Sequence, residues 1–196
     1  MITWNNMQTP DSSIARLYPW QQQQWDSLIQ ARKEQRLPHA LLLSGPAGIG
    51  KKAFAMAFAK SLLCLSPLEV NGKTQACCSC NACQLFTANT HPDLYLIEPE
   101  EEGKAIKVDQ IRETTEKNSL TAHISAFKIH LVIEADKMNI NASNSLLKTL
   151  EEPSPNSLII LISSSPELLT ATIKSRCQQL NFMPPQQDVA IKWLEK

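Results

Sequence analysis

The chain has 196 residues, with 19 Lys and Arg against 19 Asp and Glu and therefore no formal net charge, and 43% of it is hydrophobic. That length suits one domain, or one domain and the beginning of another, and the apolar fraction can build a core without a disulfide framework. Balanced charge argues against a surface that itself draws nucleic acid or an acidic membrane, and no apolar run approaches the ~18–20 residues of a membrane span.

Residues 1–17 are polar and aperiodic and are expected to be loosely ordered; Met1 to Ser13 has neither the basic nor the apolar region of an export signal. A reducing, cytoplasmic setting is the expectation. From Tyr18-Pro19-Trp20 an amphipathic pattern runs through Trp25, Leu28, Ile29 and Arg32 and stops near Pro38. Ala40 to Leu43 is a short apolar run entering a Gly-rich loop, the pattern of a buried parallel strand. Residues 51–63 repeat apolar positions at helical spacing, a turn-rich linker covers Ser66 to Ala76, and a short helix lies around Ala82–Thr87.

The second half keeps this rhythm. Leu94–Ile97 predicts a strand, Val108–Asn118 a helix capped by Asp109 or a neighbour, and Ile129–Glu134 a strand. Asn141–Glu152 predicts a helix closed by Pro153, Leu158–Ile162 the most hydrophobic strand, and Gln178–Phe182 a last strand before Pro184-Pro185. Strand alternating with helix means βαβ units and a parallel sheet covered on both faces, with ligands at the strands' C-terminal edge. No internal repeat interrupts the pattern.

Gly45-Pro46-Ala47-Gly48-Ile49-Gly50-Lys51-Lys52 leaves a strand and opens a helix, the context of a phosphate-binding loop. Gly45, Gly48, Gly50 and Lys51 are its candidate binding residues. The next position should carry the Ser or Thr hydroxyl that holds Mg²⁺, and Lys52 stands there instead. The strand ending at Glu134 should close on an acidic pair, yet Ala135 stands where the water-activating carboxylate belongs and Asp136 is one residue further on, expected to point elsewhere. The loop keeps the means to hold a bare phosphate; hydrolysis of ATP is not expected, because the bridging metal has lost its ligand.

Cys77, Cys80 and Cys83 have Cys-x₂-Cys spacing, and twelve residues separate them from Cys64. Four soft ligands suit a closed, tetrahedral, structural Zn²⁺ site. An iron–sulfur cluster would need a fourth cysteine with proline soon after Cys83, and the sequence offers none. Cys78 falls outside the spacing, and Cys177 is expected in the core. The four histidines make no spaced set with a carboxylate pair, so none has an expected catalytic role.

Several of these segments together resemble the N-terminal module of bacterial clamp-loader subunits, an AAA+ family, from about Tyr18 to Lys196. The resemblance rests on Tyr18-Pro19-Trp20, the altered P-loop, the four cysteines, Thr90-His91-Pro92-Asp93 and Val108-Asp109-Gln110-Ile111-Arg112. It rests most on Leu146-Leu147-Lys148-Thr149-Leu150-Glu151-Glu152-Pro153 and Ser175-Arg176-Cys177. It implies an AAA+ module over residues 18–183, with a five-stranded parallel sheet flanked by helices and a zinc-binding excursion at about 64–83. Residues 184–196 would begin a helical lid, truncated here. The arginine of Ser-Arg-Cys implies a finger: Arg176 would reach the ATP site of a neighbouring subunit. The changes at Lys52 and Ala135 resemble the non-hydrolysing subunits of the family. The implied partners are the gamma/tau and delta subunits and, through the complex, the sliding clamp and primed DNA. The competing readings are an active gamma/tau-type ATPase, against which Lys52 and Ala135 weigh, and a zinc module binding nucleic acid directly, against which the charge balance weighs.

Overall fold

The computed structural model describes residues 17–70, 73–101, 103–116 and 122–195. The segment expected to be loosely ordered lies outside them up to residue 16, as do residues 117 and 118 of the helix expected to reach Asn118.

In chain order the elements are α1 (Gln22–Lys33), β1 (Ala40–Ser44), α2 (Lys51–Leu63), β2 (Leu68–Val70), β3 (Lys73–Gln75), α3 (Asn81–Thr87) and β4 (Leu94–Ile97). There follow α4 (Val108–Glu116), β5 (Lys128–Val132), α5 (Ile140–Glu151), β6 (Ser157–Ser163), α6 (Ala171–Lys174), β7 (Gln178–Asn181) and α7 (Gln187–Leu194). Five strands form one sheet in the order β4-β5-β6-β1-β7, every neighbouring pair parallel. This is the architecture that the alternating pattern and the resemblance predict.

The strands β1, β5 and β6 are buried along their whole length because helices cover both faces. Successive side chains point to opposite faces. Leu41 and Leu43 meet Trp25 and Leu28 of α1 and Phe54, Phe58 and Leu62 of α2, whereas Ala40 and Leu42 meet Leu146 and Leu150 of α5 and Ile173 of α6. Leu146 and Leu150 are the buried stripe of α5, and Leu147 is only partly buried beside it.

Four local features differ from the sequence reading. The stretch 66–76 contains the antiparallel pair β2–β3. The strand β5 stops at Val132, because Glu134 takes a left-handed conformation (φ 54°) and a 3₁₀ turn over Ala135–Lys137 follows. At the start of α4 the returning side chain is that of Gln110, whose Oε1 accepts from the Lys107 N–H at 2.9 Å, rather than Asp109. The four-residue α6, capped by Thr170 Oγ1 on the Ile173 N–H, has too few residues to show a period.

All five strands run the same way, so the P-loop, Glu98, the Glu134–Lys137 turn and Ser164 collect at one edge of the sheet. Helix α2 carries the chain back to the other edge, roughly 20 Å away at ~1.5 Å per residue, and delivers Cys64 there.

Candidate nucleotide, metal and arginine sites

The P-loop has the backbone of an anion site. Gly45 (φ 144°) and Gly50 (φ 92°) adopt conformations that side chains avoid, and a Cβ would lie 2.2 Å from the Phe182 carbonyl oxygen at the first and 2.4 Å from the Tyr18 ring at the second. Gly50 leads directly into α2. The lysine, however, is engaged within the protein. Lys51 is buried, and its Nζ donates to Gly45 O at 2.6 Å, Pro46 O at 2.7 Å and Ser164 Oγ at 3.1 Å. An ammonium has three donors, so each has a protein acceptor. Burial lowers the Lys51 pKa and the Asp136 carboxylate opposes that shift.

Lys52 is exposed and pairs with Glu98 Oε2 at 2.9 Å. Glu134 is exposed and Ala135 buried. Asp136 accepts from Ser163 Oγ at 2.6 Å and from the Ser164 N–H at 3.1 Å, on the strand end that also supplies Ser164 to Lys51. Trp20 Nε1 and Gln21 Nε2 donate to Ile49 O at 3.3 and 3.2 Å, and Gln21 Nε2 also to Gly50 O at 3.1 Å. Tyr18 stacks on Trp20 (centroids 4.8 Å apart), and Trp193 of α7 meets both rings edge-on at 5.1 and 5.8 Å. The loop is thus bracketed by aromatic rings from both ends of the described chain.

At the far end of α2 the four predicted cysteines come together. Cys64 follows the helix directly, Cys77 and Cys80 follow β3, and Cys83 lies in the first turn of α3. Their sulfur atoms all lie within 4.8 Å of one another. Cys64 Sγ is 3.5 Å from Cys77 Sγ and 3.9 Å from Cys80 Sγ, close to the ~3.8 Å between sulfurs held tetrahedrally at ~2.3 Å from a metal. The Cys77 N–H points to Cys64 Sγ and the Cys80 N–H to Cys77 Sγ, both at 3.3 Å. Amides of Ser79 and Cys80 bring the Cys77 thiol down to about 5, while burial pushes Cys64 and Cys83 up. The four cysteines can hold a metal ion. Cys78 takes φ 60° and faces outward, its sulfur near Ala76 O, and Cys177 is buried among α5 and α6 side chains. The hairpin that brings Cys77 back to Cys64 had a signal in the sequence: Asn71-Gly72 between Val70 and Lys73, the strongest short-range hairpin signature.

Arg176 lies on neither site. It follows α6, and its Nη1 donates to Thr172 O at 3.0 Å while Nη2 pairs with Glu151 Oε1, in the last turn of α5, at 2.7 Å. Its side chain keeps 35% of its exposure.

His91, Asp93 and Ser125 meet in the composition of a catalytic triad, without its geometry. The Asp93 carboxylate accepts from the N–H groups of His123, Ile124 and Ser125 at 2.6–2.9 Å. His91 Nδ1 accepts from the Asp93 N–H, and Ser125 Oγ donates to Leu63 O at 2.7 Å. The hydroxyl is tied to the end of α2, so the cluster fastens loops.

A family model described as DNA polymerase III, delta subunit matches residues 20–186. The chain belongs to this family. The delta' subunit of Pseudomonas aeruginosa is 45% identical over 183 residues, covering 93% of this chain and 54% of that one. The delta' subunit of Escherichia coli is 37% identical over 181 residues, covering 92% and 53%. The tau subunit of Bacillus subtilis is 33% identical over 157 residues, 80% of this chain and 26% of tau. The chain therefore spans about half the length of the delta' relatives. A crystal structure of a gamma subunit-related protein of DNA polymerase III from Thermotoga maritima superposes with a TM-score of 0.53 at 19% identity, over 82% of this chain and 47% of that one. That similarity shows the fold, the AAA+ type of P-loop α/β domain. Among the described residues no helix is long and apolar enough to cross a membrane.

Proposed function

We propose that this chain is the AAA+ module of a delta' clamp-loader subunit that does not hydrolyse ATP itself and that lends Arg176 to the ATP site of a neighbouring gamma/tau subunit. The observation that carries the reading is the contrast between its two phosphate-competent cations. Lys51 is buried with its three donors on Gly45 O, Pro46 O and Ser164 Oγ, so a phosphate would have to displace protein acceptors. Arg176 is partly exposed and held by one carboxylate and one carbonyl, which a partner's phosphate can replace. A planar, permanently charged guanidinium suits that role, and an interface that excludes water strengthens it. The delta subunit would complete the complex, and contact with the sliding clamp and primed DNA would come through the assembly in the cytoplasm, which fits a chain without net charge.

The four cysteines suit structural Zn²⁺. Cys64, Cys77, Cys80 and Cys83 would hold it, leaving no open position for chemistry, and the ion would cross-link α2, the hairpin and α3. Residues 18–183 form the module in this reading, and α7 begins a lid.

Reconstitution tests the proposal. The isolated chain is expected to turn over no ATP, and Arg176→Ala is expected to lower ATP hydrolysis by a loader rebuilt with gamma-type partners about a hundredfold. Steady hydrolysis by the isolated chain would support the active-ATPase reading, and an unchanged rate in the Arg176→Ala loader would refute the finger.

A further inference from the structure

The metal-binding end of α2 poses an electrostatic problem. Four thiolates around one Zn²⁺ leave a centre with two net negative charges. The last carbonyls of a helix present a further partial negative charge. Cys64 is the C-cap residue of α2, so such a centre sits against the helix end that repels it.

One cation reaches this junction from another element. Arg32, in the last turn of α1, donates from Nη1 to Ser61 O at 3.0 Å, a carbonyl of the last turn of α2 and three residues before Cys64. The guanidinium is half-buried, and burial lowers its pKa. The neighbouring charges are differently placed. Lys33 is exposed and pairs with Glu69 Oε1 at 3.0 Å. Lys60 lies on the α3 side, its Nζ 3.4 Å from Thr87 Oγ1 and 6.0 Å from the Phe86 ring centroid.

We infer that Arg32 is the compensating cation of the metal site, holding the terminal carbonyl of α2 and offsetting the negative charge of the thiolate centre, so that it sets the affinity for the metal. The inference rests on the reading of the four cysteines as a Zn²⁺ site. Arginine suits the position because it stays charged when half-buried, where a charge is least screened.

The test is the Zn²⁺ affinity of the purified chain, measured by competition with a chromophoric chelator for the wild type and three variants. Arg32→Gln keeps a donor for Ser61 O and removes the charge; it is expected to weaken Zn²⁺ binding about tenfold. Arg32→Lys keeps the charge and is expected to retain most of the affinity. Lys33→Met makes the same change of net charge one residue away and is expected to stay within about twofold, its charge being exposed and screened. If Arg32→Gln does not fold, Arg32→Met serves as the uncharged variant with the same expectation. Wild-type affinity in the uncharged variant, or an equal loss in Lys33→Met, would overturn the role of Arg32 alone. A wild-type chain that takes up no Zn²⁺ would refute the metal reading itself.

Discussion

Helix α2 begins at a loop shaped for an anion and ends at a nest of four thiols, and the two ends have been treated in opposite ways. At the first, the backbone has the shape of an anion site while its lysines are engaged within the protein: Lys51 donates to carbonyls of its own loop and Lys52 pairs with Glu98. At the second, the side chains converge from three segments on one point. Glycine conformations and strand order hold the shape of such a loop whether or not it binds a ligand, because they are also what the core requires. Convergent side chains have no such second employment.

Breaking each end should therefore have different consequences. On the proposed reading of the four cysteines as a Zn²⁺ site, the largest effect is expected there: Cys77→Ser, or chelation, should cost upwards of about 4 kcal/mol and lower the melting temperature, read by thermal unfolding with and without added Zn²⁺. Acid should come next, and should reach the C-terminal end first. Burial lowers the pKa of His91, whose partner Ser125 holds Leu63 O. The unfolded chain then takes up the proton more readily, so this stabilisation is complete above about pH 6.5 and is lost as the pH falls. His130, brought by burial to about 4, adds a loss of about 3 kcal/mol between pH 6.5 and pH 4. Hydrogen exchange should show the last turn of α2 opening before the first, and His130→Phe should flatten the global dependence.

At the loop end the effects are expected to be smaller and structural. Gly50→Ala adds a methyl group at φ 92° against the Tyr18 ring, worth about 2 kcal/mol of lost stability. Lys51→Met removes the donor from Gly45 O and Pro46 O and should cost about 1 kcal/mol, with nucleotide titrations of variant and wild type superimposing. A large loss of nucleotide affinity in Lys51→Met would show that the loop is still a ligand site and erase the contrast.

What the sequence made legible follows the same division. The apolar runs of β1 and β6 and the 3.6-residue periods of α2 and α5 announced themselves, since burial on both faces or one stripe leaves a pattern in residue type. The four cysteines were legible because Cys-x₂-Cys spacing marks thiols that a fold can bring together. The engagement of Lys51 was not, because a sequence names the ammonium but not the carbonyls it meets. Glu151 and Thr172 as partners of Arg176 were equally hidden: they join α5 and α6, and α6 is too short to leave a period. The bonds of Asp136 to Ser163 and Ser164 follow the left-handed Glu134, a conformation that residue type does not predict.

The bracket of Tyr18, Trp20 and Trp193 gives the chain an optical signature. Indole rings with centroids 5.8 Å apart and planes at 77° have coupled electronic transitions, so near-ultraviolet circular dichroism reports whether α7 lies over the P-loop. Trp25, edge-on to Phe54 and Phe58 in the core, answers a different question, because its surroundings change only when the sheet and helices part. Light alone can thus separate the lifting of α7 from the unfolding of the domain, with no label attached.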